Sequence, residues 1–369
     1  MRRLRKVRVR LRAKPAPVRV TALAIVAALL LAGCNPVYVA RGAWEEGRIL
    51  WNRKPISNEL DSTSLDPDVR AKLQTVLRVR EFAAENLGLN VGGAYQTVST
   101  VDQRAIVYVV MAAPRDSLEP YTWWFPIVGA VPYRGYFKQS QAKAEADAME
   151  AAGYDTMVRP AVAFSSLGFF NDPLLSNLLK LDRVELANVI IHELFHRTYY
   201  AASDAMFNES AANYIGVSGA LDFFAKTEGE SSPDAREARE AVADNLAFGR
   251  FMLTEEARLL KIYRSGAPSD EILKQREVAF TQIKTDYAQL RMVGLTRFDL
   301  DKQPLNNAVL INYLIYFHDL DNFAALQRQN HGDLKATIAE IIAIAKAHPS
   351  EPFYAIWETT RSAPPVPRN

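Results

Sequence analysis

Hydrophobic residues along the chain follow two different periods, and these periods predict its secondary structure. From Pro67 to Asn86 they recur every three or four residues behind Asp66, which predicts a capped helix. From Tyr95 to Ala112 the period shifts to two and β-branched residues dominate, which predicts a hairpin turning near residues 102–103. The first part of the sequence therefore combines a helix with strands.

The helical period then returns and dominates the rest of the chain. A helix is predicted from Gln139 to Ala152, before Gly153, and a strand from Val158 to Phe164. After Gly216 helices are expected at residues 232–263, 266–292, 305–317, 321–329 and 333–348. The sequence thus predicts an α+β fold, with a small mixed sheet followed by a mostly helical C-terminal lobe.

The length of the chain is compatible with one large domain. With 369 residues, of which 49% are hydrophobic, it can bury a full core. We expect a domain at residues 67–350, with an α/β lobe at 67–182 and a helical lobe at 183–350. A tether with a first helix around residues 43–50 is expected at 34–66, and a tail at 351–369.

An aromatic segment lies between the predicted hairpin and the helix that starts at Gln139. Residues 113–137 include the stretches WWFPIVG from Trp123 and VPYRGYF from Val131. Two interpretations stay open, because such a segment could form the wall of a cleft or a buried aromatic cluster.

The motif with the clearest chemistry is HELFH at residues 192–196. Residues i and i+4 lie on one face of a helix, so His192 and His196 could offer two imidazole nitrogens to one metal ion. Glu193 borders that face and could take a proton from water. Apolar residues precede and fill the motif, so the helix is expected to be buried. A pair of hydrogen-bonded core histidines is the alternative without a metal.

A metal site of this kind needs a third protein ligand. Glu209 follows His196 by thirteen residues, and a short turn between two antiparallel helices would bring it to the histidine pair. Asp204 is the competing ligand, and Asn213 shares a helix face with Glu209. The remaining histidines are expected at the surface: His318, His331 and His348.

The net charge of +2 hides two different parts of the chain. The first 33 residues hold nine Lys or Arg and no acid, so 35 basic and 42 acidic residues remain in the rest. An acidic body argues against nucleic-acid binding.

Residues 1–33 have the organisation of a secretory signal peptide. A basic start precedes about twelve apolar residues from Thr21, too few to span a membrane comfortably. The ending LAGC at residues 31–34 resembles the bacterial lipobox, which implies cleavage before Cys34 and lipidation of this only cysteine. Asn35 differs from the Asp that retains lipoproteins in the inner membrane of enteric-type bacteria. We therefore expect an outer-membrane anchor facing the periplasm; an uncleaved N-terminal anchor is the alternative.

HELFH followed by NESAA at residues 208–212 resembles the gluzincin metallopeptidases. A wider set of segments resembles a bacterial family of lipoproteins described as putative aminopeptidases. These segments are the lipobox, YRGYF at 133–137, SSLG at 165–168, DPLL at 172–175, HELFH, FNES at 207–210 and LNNA at 305–308.

This resemblance implies one zinc ion per chain on His192, His196 and Glu209, with Glu193 as general base. It also implies a gluzincin-like fold, in which an edge strand packed on the HELFH helix binds an extended peptide. Residues 160–168 occupy that position in the sequence.

Further site residues follow from the same resemblance. Tyr316 is the first candidate to stabilise the oxyanion, before Tyr136 and Tyr133. Substrate contacts are expected from Tyr133, Tyr136, Ser165, Ser166, Gly168, Asn306 and Asn307. Asn213 stands where some gluzincins place an Asp that orients the first histidine, which predicts a supporting role.

The sequence thus predicts zinc-dependent hydrolysis of a peptide or protein substrate in the cell envelope by an aminopeptidase. Water activated by the metal would attack the peptide carbonyl while Glu193 takes its proton. A free α-amine requires an anionic partner, for which Asp172, Asp182 and Glu185 stay open. An envelope endopeptidase and a non-catalytic zinc-binding lipoprotein scaffold are the alternatives. No oligomeric state is predicted.

Overall fold

A computed structural model describes residues 42, 44, 47–101, 107–125, 128–161, 171–294, 298 and 300–361. The predicted signal peptide, Cys34, the hairpin turn and the substrate residues Ser165, Ser166 and Gly168 lie outside the described residues. Among the helices that are described, none combines the length and the apolar composition that a membrane crossing requires.

The N-terminal part of the described region is helical with one short strand. Residues 47–51 form a helical turn, followed by β1 (Lys54–Pro55) and α1 (Ile56–Leu60). Helix α2 (Pro67–Glu85) begins after Asp66, whose carboxylate accepts hydrogen bonds from two backbone amides of the first turn. The capped helix predicted there is confirmed.

The strands form three small sheets. A mixed sheet has the order β1, β2 (Thr97–Ser99) and β8 (Leu174–Leu175), with β1–β2 antiparallel and β2–β8 parallel. An antiparallel sheet has the order β6 (Arg134–Tyr136), β3 (Val107–Pro114) and β7 (Tyr154–Ala161). An antiparallel pair joins β4 (Trp123–Phe125) to β5 (Gly129–Val131).

The predicted hairpin between residues 95 and 112 is wrong. Strands β2 and β3 belong to different sheets, because β2 takes its hydrogen bonds from β1 and β8. A period of two identifies a strand but does not identify its partner.

The other described helices follow the sequence prediction closely, except the last one. They are α3 (Gln139–Ala151), α4 (Arg183–Thr198), α5 (Ala205–Glu228), α6 (Pro233–Tyr263), α7 (Ser269–Gln289), α8 (Asn307–Phe317), α9 (Leu320–Gln329), α10 (Leu334–Ala347) and α11 (Pro352–Arg361). A short 3₁₀ helix covers Ser176–Lys180.

Helix α11 corrects the expectation of a tail from residue 351. Ile356 is fully buried, and the ring of Phe353 packs edge-on against Phe207 at 5.4 Å. These apolar contacts hold the helix on α5 and α9 although a proline-rich end follows it. Residues 362–369 lie outside the described region.

Helix α5 lies at the centre of the main core, which includes buried residues from Ile49 to Ile356. Most of its residues from Phe207 to Ala220 are buried, and it packs against α4, α6 and α8. A helix that is buried on nearly all sides is apolar on nearly all sides. The polar residues that α5 does carry therefore require a specific reason.

The antiparallel sheet packs between two helices. Val109 and Met111 meet Ile311 and Ile315 of α8 on one face, while Val110 meets α3 on the other. The edge strand β7 thus packs on α8. Most of the predicted substrate strand at residues 160–168 lies outside the described residues, so its packing on the HELFH helix stays a prediction. The described fold is α+β and mostly helical, with small sheets.

Candidate metal centre

Helix α4 carries HELFH with its apolar face buried. The carboxylate of Asp182 caps the helix by accepting a hydrogen bond of 2.7 Å from the backbone amide of Glu185. Ile190, Leu194 and Phe195 are almost fully buried. Burial of these neighbours fixes the rotation of the helix, so the two histidines point toward α5.

The loop between α4 and α5 is held by side chains at the start of α5. Asp204 caps α5 by accepting from the N–H of Phe207 at 3.1 Å. Asn208 bonds both the N–H and the C=O of Ala201. Asp204 therefore acts as a cap, and Glu209 is the acidic residue that faces the histidines.

Gly216 allows the two helices to approach each other closely. A Cβ atom built there would lie 2.4 Å from Asn188 Oδ1 and 3.2 Å from the Cβ of His192. A larger residue at this position would push α5 away from the histidines. The glycine therefore has a packing role beside the candidate site.

Three ligand atoms form a small, nearly equilateral triangle. His192 Nε2 lies 3.1 Å from His196 Nε2, and each of these nitrogens lies 3.3 Å from Glu209 Oε2. Ligands about 2.0–2.1 Å from a tetrahedral metal ion are roughly 3.3–3.4 Å apart. The spacing and the donor types fit a metal ion, and the group is buried or half-buried.

Charges at the site favour an anionic Glu209. Burial alone would raise the pKa of Glu209, but the imidazoles of His196 and His192 hold that pKa well below its usual range. Glu193 behaves in the opposite way. Removal from water raises the pKa of Glu193 to about 7, and the Glu209 and Asp172 carboxylates contribute to this rise. One carboxylate is thus suited to bind a cation and the other to exchange a proton.

Two tyrosines line the same group from the antiparallel sheet and α8. Tyr133 donates a hydrogen bond of 3.2 Å to Oε1 of Glu209, the oxygen that does not face the histidines. The ring of Tyr316 stacks on His192 at 6.3 Å between centroids. Burial raises the pKa of both hydroxyls, and the charge of Glu209 raises it further. Both remain protonated donors.

The aromatic segment 113–137 reaches the site through Tyr133 and through the β4–β5 pair. Ser203, in the loop between α4 and α5, donates its N–H to the C=O of Val128 at 3.0 Å. A Cβ atom on Gly129 would lie 2.1 Å from Ser203 Oγ. Trp124 is 52% exposed, so the segment is not simply a buried cluster. This placement favours the cleft-wall interpretation.

Arg159 of β7 is a site residue that the sequence interpretation missed. Its Nη2 donates to the Tyr316 hydroxyl at 2.9 Å, and its Nε donates to Oδ1 of Asn312 at 2.7 Å. Its Cζ also lies 5.5 Å from the centre of the Tyr316 ring. The only signal in the sequence was that Arg159 is a charged residue within a predicted strand of mostly apolar residues.

Tyr95 and Asp172 lie on the Glu193 side of the site. The N–H of Tyr95 donates a hydrogen bond of 2.8 Å to the C=O of Asp172. Tyr95 is buried, and its φ of 58° is unusual for a residue other than glycine. Burial raises the pKa of Tyr95, followed by the charges of Glu193 and Asp172. Of the three acids considered for an α-amine, Asp172 is the one near Glu193. Asp182 and Glu185 lie at the far end of α4, more than about 10 Å along its axis.

Three predicted substrate residues lie elsewhere. Asn306 caps α8 through Val309 N–H and donates to the C=O of Thr156. The fully buried Asn307 bonds Pro114, Ser117 and Tyr263. Tyr136 packs toward α3 on the opposite face of the sheet from Tyr133. Their described contacts are structural, and their assignment to substrate binding stays a prediction.

Asn213 lies beside the site but is joined to α8. Its Nδ2 donates to the backbone carbonyl oxygen of Tyr316 at 2.8 Å. Its observed contact therefore positions the helix of Tyr316. Within the described part of the protein, Nδ1 of His196 is buried without a hydrogen-bond partner.

Two helices bring two histidines and a glutamate together, and a second acid follows the first histidine. This arrangement defines a candidate metal-dependent enzyme site. The family model described as "Putative aminopeptidase" matches residues 37–354, and the chain belongs to that family. No curated protein and no solved structure matches the chain.

Proposed function

We propose that the protein is a zinc-dependent aminopeptidase that acts on peptides in the cell envelope. The observation that carries the proposal is the triangle of His192, His196 and Glu209, with Glu193 beside it. Membership of a family named for aminopeptidase activity supports the same reaction class.

Zinc suits this donor set because it prefers imidazole nitrogen and carboxylate oxygen in a tetrahedral arrangement. His192, His196 and Glu209 would supply three ligands and leave one position for water or substrate. Zinc, when bound, would lower the pKa of a water molecule and polarise the peptide carbonyl. Tyr133 would fix the orientation of Glu209 through their hydrogen bond.

The side chains of the protein divide the remaining tasks. Glu193 takes a proton from the attacking water and later gives it to the departing amine, for which a pKa of about 7 is well matched. The Tyr316 oxygen accepts from Arg159, so its own O–H is free to donate to the carbonyl oxygen as negative charge develops there.

Asp172 supports the aminopeptidase direction. Its buried side chain lies near enough to Glu193 for their charges to interact. A carboxylate on this side of the site is suited to hold the free α-amine of a peptide. An endopeptidase would have no need for such a group.

The envelope location rests on the N-terminal sequence. Lipidation of Cys34 would hold the enzyme at a membrane, and Asn35 favours the outer membrane with the enzyme facing the periplasm. This would restrict its substrates to envelope peptides.

Metal analysis combined with peptide cleavage tests the proposal. We expect about one zinc per chain in the purified protein, and release of single residues from free N-termini. Glu193→Gln should keep its zinc and lose activity by about 10²–10⁴-fold. The absence of zinc, or equal activity in both proteins, would reject the enzyme and leave a scaffold. Cleavage within blocked peptides would identify an endopeptidase.

A further inference from the structure

Arg159 is a half-buried cation without an ion pair in the described part of the protein. No described carboxylate lies within 4.0 Å of its guanidinium, whereas the neighbouring Arg134 has Glu145 at 3.5 Å. Its two hydrogen-bond partners are neutral, namely the Asn312 amide oxygen and the Tyr316 hydroxyl. A half-buried charge normally has a countercharge, so its absence requires an explanation.

The guanidinium of Arg159 lies near the candidate metal centre and has one edge that no described residue occupies. Nε and Nη2 are engaged by Asn312 and Tyr316, while no described residue accepts a hydrogen bond from Nη1. Burial alone would lower the pKa of Arg159, but the nearby Tyr316 and Glu209 raise it, so the group stays charged. Arginine binds carboxylates through such planar edges.

Charges of both signs lie near the centre. Arg159 interacts electrostatically with Glu209, Tyr316 and Tyr133, whereas Asp172 interacts with Glu193 and Tyr95. A positive and a negative group near one centre complement a substrate that carries both charges.

From these contacts we infer that Arg159 is a specificity-determining residue that binds a carboxylate of the substrate. This inference rests on the proposed peptidase function and adds a substrate class to it, peptides with a carboxylate a short distance from the scissile bond. The carboxylate could be the C-terminus of a short peptide or an acidic side group, since the guanidinium recognises both in the same way.

Calorimetric binding of three peptides to the metal-free protein separates these sources. Ala-Ala has a C-terminal carboxylate, Ala-Glu-amide has only the carboxylate of its glutamate, and Ala-Ala-amide has neither. We expect at least one acidic peptide to bind about tenfold or more tightly than the diamide, as charge-assisted hydrogen bonds predict. The acidic peptide that binds more tightly identifies the source.

Arg159→Gln should abolish this preference and leave the affinity for the diamide unchanged. Arg134→Gln is the matched control, because Arg134 is also half-buried but bonds Glu145 of α3 on the opposite face of the sheet. It should retain the preference. If Arg159→Gln does not fold, Asn312→Asp provides the second test, since it places an internal carboxylate against Nε and should remove the preference too.

Three results would overturn the inference. One is that the wild-type protein binds neither acidic peptide more tightly than Ala-Ala-amide, or binds no acidic peptide at all. Another is a preference that survives in both Arg159→Gln and Asn312→Asp. The third comes from a separate cleavage assay of Arg159→Gln. If this variant binds the three peptides as the wild type does but cleaves all three equally more slowly, Arg159 acts through Tyr316. The binding readout requires neither zinc nor turnover, so its failure is distinct from failure of the peptidase proposal.

Discussion

The helix pair α4–α5 and the unit formed by the antiparallel sheet and α8 contribute to the same site in different ways. The helix pair holds the histidines and Glu209 within one continuous segment of the chain. The sheet and α8 contribute Tyr133, Arg159 and Tyr316 from three distant positions. In the proposed function, the first region would bind the ion and the second would form its surroundings. This difference predicts that stability, metal binding and substrate choice can be changed separately.

The largest effect is expected from the ion pair that anchors the second region. Asp155 on β7 accepts hydrogen bonds of 2.7 and 3.1 Å from Arg276 of α7, and both side chains are buried. It also accepts from the N–H of Asn307. Asp155→Ala removes the buried partner of Arg276 and leaves it the exposed Glu277 as an ion-pair partner. We expect the free energy of unfolding to fall by about 3–5 kcal/mol.

Urea denaturation followed by circular dichroism measures this loss. Asp147→Ala is the control, because its pair with Lys143 is exposed and screened by water, so its loss should change stability little. Equal midpoints for the two variants would show that the buried pair does not anchor the sheet.

Metal affinity should depend most on the first region. Glu209→Gln removes the anionic ligand while preserving its shape, and we expect zinc affinity to fall about a hundredfold or more. Competition with a chromophoric chelator measures this change. Asp204→Asn is the control, since Asn is also a good helix cap and zinc affinity should be unchanged. If zinc affinity fell strongly in Asp204→Asn and not in Glu209→Gln, Asp204 would be the third ligand.

A smaller effect on the metal is expected from the second region. Tyr133→Phe removes the hydrogen bond to Oε1 of Glu209 and should weaken zinc binding about tenfold, as is usual for groups that orient a ligand. Tyr136→Phe, on the opposite face of the sheet, should have no effect on affinity. If both variants bound zinc like the wild type, the sheet would not contribute to metal affinity.

The smallest effect tests the close approach of the two helices. Gly216→Ala should destabilise the protein by a net ~1 kcal/mol, because crowding against Asn188 exceeds the helix-propensity gain of alanine. Gly219→Ala is the matched control, since its added Cβ would meet only the side chains of Ile191 and Leu87, at 3.0–3.1 Å, and no backbone atom within that distance. Thermal melts of the two variants should differ, with Gly216→Ala the lower. The opposite order would exclude a special packing role for Gly216.

The same comparison explains what could be predicted from the sequence. His192, His196 and Glu209 lie on two consecutive helices, so helical spacing and a short loop were enough to bring them together. The helices between residues 232 and 348 were also predictable, because long amphipathic segments with caps carry strong local signals.

The strand pairing and the site residues of the second region could largely not be predicted from local sequence patterns. The partners of β2 and β3 depend on contacts across more than 20 residues, which no local period encodes. Arg159 became recognisable only when β7 and α8 were placed side by side. Asn306 and Asn307 were assigned to the site because LNNA resembles a family segment, yet their amides bond the backbone and Tyr263.

The contiguity of the metal ligands has a consequence for how the protein folds. Contacts between residues close in sequence form faster than contacts that close long loops. Helices α4 and α5 can therefore meet early, with His196 and Glu209 only 13 residues apart. The sheet must bring Arg159 to Tyr316 across 157 residues. During folding the pocket should thus be able to capture its ion before the groups that recognise a substrate are in place.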